Sequence, residues 1–118
     1  MPLRLFGIAN CDTCRKARKW FEENALPCEF HDLREQGIDM AMLQRWAAAM
    51  DWQTLLNTRS RTWRELSATK RDITCESNAL DLMLEHPTLI KRPVIEGDGF
   101  IEVGFTDRQR QAILDRLG

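Results

Sequence analysis

The sequence lacks the long apolar segments that would hold a chain in a membrane. No stretch approaches the ~20 consecutive apolar residues that span a bilayer. No long apolar core or small-residue cleavage site follows the N-terminus, and internal repeats, low-complexity tracts and flexible linkers are also missing. We therefore expect a single domain, residues 1–118, that lies in the cytoplasm and does not contact a membrane.

The chain also lacks a surplus of charge of either sign. Its 17 Lys and Arg residues nearly balance 18 Asp and Glu residues, and the formal net charge is −1. A chain without a positive surplus has no general affinity for polyanions, which argues against a direct nucleic-acid partner. Hydrophobic residues make up 43% and charged residues 30% of the chain, which is typical of a globular protein.

Cysteines are few, but two of the four form a Cys-x-x-Cys motif, Cys11–Cys14, between the apolar run 3–8 and a basic amphipathic stretch. At a strand-to-helix junction this motif is typical of a redox site. Amide groups at a helix start and nearby cations stabilise a thiolate, so we expect Cys11 to be the nucleophile, with Asn10 as the N-cap. Cys14 lies on the same helical face and is placed to resolve a mixed disulfide at Cys11.

Two other interpretations of these cysteines stay open. Both thiols could simply face a core, because free cysteine is among the most buried residue types. Alternatively, Cys11, Cys14, Cys28 and His31 have the spacing of a four-ligand zinc site. Residues three apart on a strand point to opposite faces, however, so Cys28 and His31 should diverge. We therefore expect no metal site.

Hydrophobic periodicity predicts the order β-α-β, helical insertion, β-β-α. Strands at 3–8 and about 28–33 flank a helix at about 12–24, which is the unit that usually pairs parallel strands. The helical insertion is predicted at about 38–86. Its parts are a helix at about 40–50 capped by Asp39, a loop and short helix at 52–67, and a helix at about 76–85.

The C-terminal part of the sequence predicts a hairpin and a helix. Two short strands, 94–96 and 100–103, flank a Gly-Asp-Gly turn. Thr106 or Asp107 can cap the final helix. Its apolar stripe is expected to be Ile113, Leu114 and Leu117.

Several motifs together resemble one protein family. The segments 10–17, 55–60 and 91–95, with Trp63 and Gly104-Phe105, are similar to the ArsC/Spx/YffB proteins, and most of all to the YffB branch. The similarity spans nearly the whole chain. It implies an α/β, thioredoxin-like fold with a helical insertion and a mixed four-stranded sheet, and it implies that Cys11 is the nucleophilic cysteine.

The resemblance also implies which residues surround this cysteine. Pro93 would be cis and would face the nucleophile, which brings Arg92 close to Cys11. An arginine there can lower the thiol pKa and bind an oxyanion or a carboxylate. We therefore assign Cys11, Cys14 and Arg92 to catalysis. The residues assigned to substrate binding are Asn10, Thr13, Arg15, Asn57, Arg59 and Pro93.

The function that this resemblance implies is that of a thiol-disulfide oxidoreductase, with no tightly bound cofactor and with glutathione as a co-substrate. Arsenate reduction is a first alternative. Of the three arginines with which that branch binds its oxyanion, only Arg92 maps cleanly, because the first falls on Asn57 and the third is only approximated by Arg108 or Arg110. The second alternative is an Spx-like redox-sensing regulator that binds RNA polymerase. The expected partners are thus glutathione or another small thiol or oxyanion, a protein disulfide, or RNA polymerase.

Overall fold

The computed structural model describes residues 3–117 and contains a mixed four-stranded sheet, as predicted. Its strands are β1 (Leu3–Gly7), β2 (Cys28–Asp32), β3 (Val94–Gly97) and β4 (Phe100–Val103). Their order across the sheet is β2-β1-β3-β4. β1 pairs with β2 in parallel and with β3 antiparallel, and β3 pairs antiparallel with β4. β1 is therefore a central strand with a partner on both sides.

Two helices pack against this sheet. α1 (Asp12–Glu23) connects the parallel strands and α7 (Asp107–Leu117) follows the hairpin. Apolar positions three and four apart on α1 place Cys14, Ala17 and Phe21 in a core that also contains Leu5 of β1 and Ile113 of α7. Burying a large apolar side chain stabilises a fold by about 1.5–3 kcal/mol, so this core holds both helices on the sheet.

Contacts divide the chain into two compact units. One contains the strands, runs to Gly37 and resumes at Arg92, and the other is Ile38–Lys91. The expected single domain with an insertion at about 38–86 stays a prediction. No helix in the described part of the chain is long and apolar enough to cross a membrane.

The unit Ile38–Lys91 is helical. Asp39 caps its first helix as predicted, because its side chain accepts a hydrogen bond of 2.9 Å from the Met42 N–H. The region 52–67, which was expected to hold one short helix, holds two, and a third short helix follows it. The second and third of these helices start after capping serines, Ser60 and Ser67. The helices of this unit are α2 (Met40–Ala49), α3 (Trp52–Leu55), α4 (Arg61–Glu65), α5 (Ala68–Arg71) and α6 (Glu76–Glu85), followed by a 3₁₀ turn, Pro87–Leu89.

Two expectations about helix ends and faces were wrong. Asn10 does not cap α1: the N-cap is Cys11, whose backbone is extended and whose carbonyl accepts the Arg15 N–H at 2.9 Å. On α7 only Ile113 of the predicted stripe is buried, whereas Leu114 and Leu117 are 40% and 45% exposed. Successive helical positions differ by about 100°, so Leu114 is turned away from the face that buries Ile113.

Candidate active site

Cys11 lies where the chain leaves the sheet and enters a helix. β1 ends at Gly7, and the half-buried Cys11 stands directly before the first residue of α1. The N–H groups of the first helical turn have no partner within the helix and carry a partial positive charge. This position therefore favours a negatively charged sulfur.

The electrostatics of the site favour the Cys11 thiolate. Partial burial raises the pKa of Cys11, but the backbone N–H and thiol of Cys14, the charge of Arg92 and the N–H of Thr13 together lower it below its ordinary value. Because the thiolate is the reactive form of cysteine, a lowered pKa increases reactivity near neutral pH.

Cys14, in contrast, is held as a neutral thiol. Its side chain is fully buried, and this burial, with the nearby Cys11 charge, raises the pKa of Cys14 to about 12. It is therefore a neutral thiol that can donate a hydrogen bond to the Cys11 sulfur. The prediction that both thiols only face a core fits Cys14 but not the half-buried Cys11.

Gly7 makes room for Cys14. A Cβ at Gly7 would lie 2.4 Å from the Cys14 Sγ, which is closer than real Cβ atoms approach a neighbour. A glycine at this position is therefore required for the Cys14 sulfur to lie beneath Cys11. The sequence shows Gly7 only as the end of an apolar run, and nothing in that run indicates the contact.

Arg92 brings a positive charge to the two thiols. Its charge helps to lower the pKa of Cys11 and offsets a part of the rise in the pKa of Cys14. Within residues 3–117 its buried Nη1 has no hydrogen-bond partner. Buried polar groups are normally paired, so this nitrogen is suited to an acceptor from a bound molecule. The Arg92–Pro93 peptide is cis, as the family resemblance implied, and the Pro93 carbonyl accepts the Gly104 N–H at 2.8 Å.

Asp32, which the sequence did not indicate, fixes the loop that leads to Cys11. Its carboxylate, only 6% exposed, accepts hydrogen bonds from the N–H groups of Ala9, Arg34 and Glu35 at 2.9, 2.8 and 3.1 Å. Burial raises the pKa of Asp32, but these three donors outweigh it and lower the pKa. An aspartate at a strand end is typical of a turn, but its bond to Ala9 crosses 23 positions of sequence.

The remaining predicted binding residues fall into two groups. Asn10, Thr13 and Arg15 are exposed next to Cys11, and Arg15 pairs with Asp12. Asn57 and Arg59 belong to the other unit, where the Asn57 side chain accepts the Arg59 N–H at 3.1 Å. The substrate-binding roles of these residues stay predictions.

The structure separates two of the ligands of the zinc alternative. Cys28 packs against the core shared by β1 and α1, whereas the His31 ring contacts Phe6, whose side chain points to the other face of β1. Across residues 3–117 no group of three or more His, Cys, Asp or Glu side chains is arranged to hold a metal ion.

Comparison with known proteins identifies related sequences along nearly the whole chain. The ArsC family profile matches residues 6–113. An uncharacterized protein from Haemophilus influenzae is 38% identical and aligns over 93% of this chain and 96% of its own. The global transcriptional regulator Spx 1 of Lactococcus lactis is 28% identical over 95% of this chain and 88% of its own.

Solved structures share the fold. A YffB protein is 42% identical, with a TM-score of 0.88 over 93% of this chain and 96% of that protein. An arsenate reductase related protein from Brucella melitensis is 38% identical, with a TM-score of 0.77 over 97% of this chain and 95% of that protein. These likenesses confirm the predicted α/β, thioredoxin-like fold class.

Proposed function

Because the chain belongs to the ArsC family, we propose that it is a thiol-disulfide oxidoreductase that uses Cys11 as its nucleophile and glutathione as its co-substrate. The observation that carries the proposal is the Cys11 thiol at the start of α1, whose pKa is lowered beside Arg92, a cation whose buried Nη1 has no hydrogen-bond partner within residues 3–117. In this proposal the protein acts in the cytoplasm and holds no tightly bound cofactor. Its four free cysteines suit a reducing compartment.

The first step is attack on a glutathione mixed disulfide, R–S–S–G. The Cys11 thiolate attacks the glutathione sulfur, so that a Cys11–SG bond forms and the R–S–S–G bond breaks. The substrate sulfur leaves with the electron pair as RS⁻ and takes a proton from water. Arg92 is placed to pair with a glutathione carboxylate through its free Nη1, and such a pair is worth more than a neutral hydrogen bond.

The second step returns Cys11 to its thiolate. A second glutathione thiolate attacks the glutathione sulfur of Cys11–SG, which releases the Cys11 thiolate and forms glutathione disulfide. Cys14 can instead lose its proton and attack Cys11, which releases glutathione and leaves a Cys11–Cys14 disulfide. Since burial raises the pKa of Cys14 to about 12, we favour the external glutathione as the resolving thiol.

The test is the rate of Cys11 alkylation against pH, measured by peptide mass spectrometry with and without glutathione disulfide. The wild type should show an apparent Cys11 pKa well below about 8.5 and a glutathione adduct at Cys11. Arg92→Ala should raise that pKa and slow adduct formation. Arg4→Ala removes an equal charge from a surface pair with Glu29 and should change neither quantity. An ordinary Cys11 pKa together with no glutathione adduct would contradict the proposed activity and would favour a protein that uses this fold only for binding.

Two alternatives each have a relative that favours them. Similarity to the Spx 1 regulator favours a redox switch that binds RNA polymerase. Recovery of polymerase subunits with the oxidised protein, and not with the reduced protein, would support that function. The arsenate reductase related protein favours arsenate as substrate. Asn57 in place of an arginine argues against it, and arsenate-dependent oxidation of glutathione is the decisive assay.

A further inference from the structure

A groove separate from Cys11 lies along α1 and the edge strand β2. It has a volume of about 510 Å³, which is in the range of small-molecule sites. Neither Cys11 nor Arg92 is among the residues that line it. Its walls come only from the segment between Arg15 and Phe30, so the strand-bearing unit forms the groove alone.

The groove combines an apolar floor with a cationic rim. Phe21, Leu26, Pro27 and Phe30 supply the apolar surface, and Phe21 is anchored in the core. The rim carries three cations, Arg15, Arg18 and Lys19, against one carboxylate, Glu22. A ligand that matches this surface has an apolar body and a negatively charged head.

Arg18 is the cation best placed to bind that head. Arg15 pairs with Asp12, and Lys19 lies 3.9 Å from Glu23. Within the described part of the chain Arg18 pairs with no carboxylate, and its guanidinium lies over the Phe30 ring, 4.2 Å from the centroid. Stacking on an aromatic ring orients a guanidinium but leaves its N–H groups for a bidentate acceptor.

From this arrangement we propose that the groove binds a small amphipathic organic anion, whose carboxylate or phosphate head pairs with Arg18 and whose flat apolar body lies on Leu26 and Pro27. The groove shares Arg15 with the residues predicted to bind the thiol substrate, but it contains neither the nucleophile nor Arg92, and the residue proposed to bind the ligand's head is Arg18. Arg15 and Lys19 add attraction at longer range, and their own exposed pairs are weak enough to be exchanged for a ligand.

Cys28 provides a reporter inside the groove. Cys28 is partly exposed and is one of the residues that line the groove, and burial raises the pKa of its thiol to about 11. An occupant that covers the groove must slow alkylation of this thiol. Cys75, which is exposed and lies in the other unit, reports in the same sample on any loss of reagent.

The experiment follows iodoacetamide labelling of Cys28 at pH 9 by peptide mass spectrometry while 2-naphthoate is titrated. The reagent is neutral and does not compete for the cations. By mass action the Cys28 rate should fall about tenfold when the ligand is at ten times its dissociation constant, whereas the Cys75 rate stays constant. The neutral 2-naphthamide, which has the same apolar body, should give no saturable protection in this range. Titration with 2-naphthyl phosphate compares a phosphate head with the carboxylate of 2-naphthoate. The head group that the groove prefers should protect Cys28 at the lower ligand concentration.

Two charge variants test whether Arg18 binds the head group of the ligand. Arg18→Gln should abolish the protection of Cys28 by the ligand. Because Arg18 also lowers the pKa of Cys28, the Cys28 labelling rate with ligand is compared with the rate without ligand in the same variant. Lys16→Gln removes one charge from an exposed α1 position outside the groove and should leave protection intact. The proposal is overturned by the absence of saturable protection, by equal protection from 2-naphthamide, or by full protection in Arg18→Gln.

Discussion

Replacing Gly7 by alanine should destabilise the protein through a single contact with Cys14. The added Cβ would stand 2.4 Å from the Cys14 Sγ and 3.3 Å from its Cβ. A fully buried side chain has no free space to enter, and overpacking of a core costs about 1–3 kcal/mol. Gly7 does not have a positive φ, so the alanine itself is unstrained and offsets about 0.4–1 kcal/mol by restricting the unfolded chain. The net loss in unfolding free energy should be about 1–2 kcal/mol.

A double-mutant cycle isolates this contact. In a Cys14→Ala background the sulfur is gone and only the 3.3 Å contact with the Cβ of residue 14 remains, so Gly7→Ala should cost much less than in the wild type. Urea unfolding of the four proteins gives the coupling energy, which we expect to be about 1–3 kcal/mol. An equal cost of Gly7→Ala in both backgrounds would refute the reasoning, because the clash would then involve another group.

The same substitution should also change the chemistry of Cys11. A displaced Cys14 no longer provides the thiol hydrogen bond that helps to lower the pKa of Cys11. The pH midpoint for Cys11 alkylation should therefore rise in Gly7→Ala, and Cys14 itself should become accessible to the reagent. An unchanged midpoint would show that the sulfur of Cys14 has kept its place.

Three further outcomes are expected. Cys14→Ala should raise the apparent pKa of Cys11 in the alkylation profile, because the thiol donor is lost; an unchanged profile would assign the effect to the backbone N–H groups. Asp32→Asn should lower the unfolding free energy at pH 7 by about 1.5–3 kcal/mol, the worth of one charge-assisted hydrogen bond. Since the folded-state pKa of Asp32 is lowered, that difference is present above about pH 4 and should shrink in urea titrations as the pH falls through the folded-state value; a difference that does not depend on pH would contradict it. Asp39→Ala should cost about 1 kcal/mol, whereas Asp51→Ala, at an N-cap without a side-chain bond, should cost less in the same assay.

The order of the elements could be predicted because each left a local signal. Alternating or periodic apolar residues marked the strands and the longer helices, the Gly-Asp-Gly turn marked the hairpin, and Asp39 marked the start of α2. The helices α3 and α5 span only four residues each. A helix of one turn is too short to show a period, so only one short helix was expected at 52–67 and α5, which follows that region, was not predicted.

Residues of the candidate site could be predicted only where they belong to a recognisable sequence motif. Cys11, Cys14 and Arg92 came from the motifs at 10–17 and 91–95. Gly7 and Asp32 were missed because their roles depend on partners in space, the Cys14 sulfur and the Ala9 N–H. An individual glycine or aspartate gives no indication of such contacts in a single sequence.

The central position of β1 has a consequence for how the protein is made. β1 is synthesised before its antiparallel neighbour β3, which lies about 90 residues later in the chain. At about 5–20 residues per second the first strand waits roughly 5–18 s for this partner. During that interval the nascent chain carries an unpaired apolar edge and a pair of thiols. The sheet can therefore close on this side of β1 only after the hairpin of β3 and β4 has been synthesised.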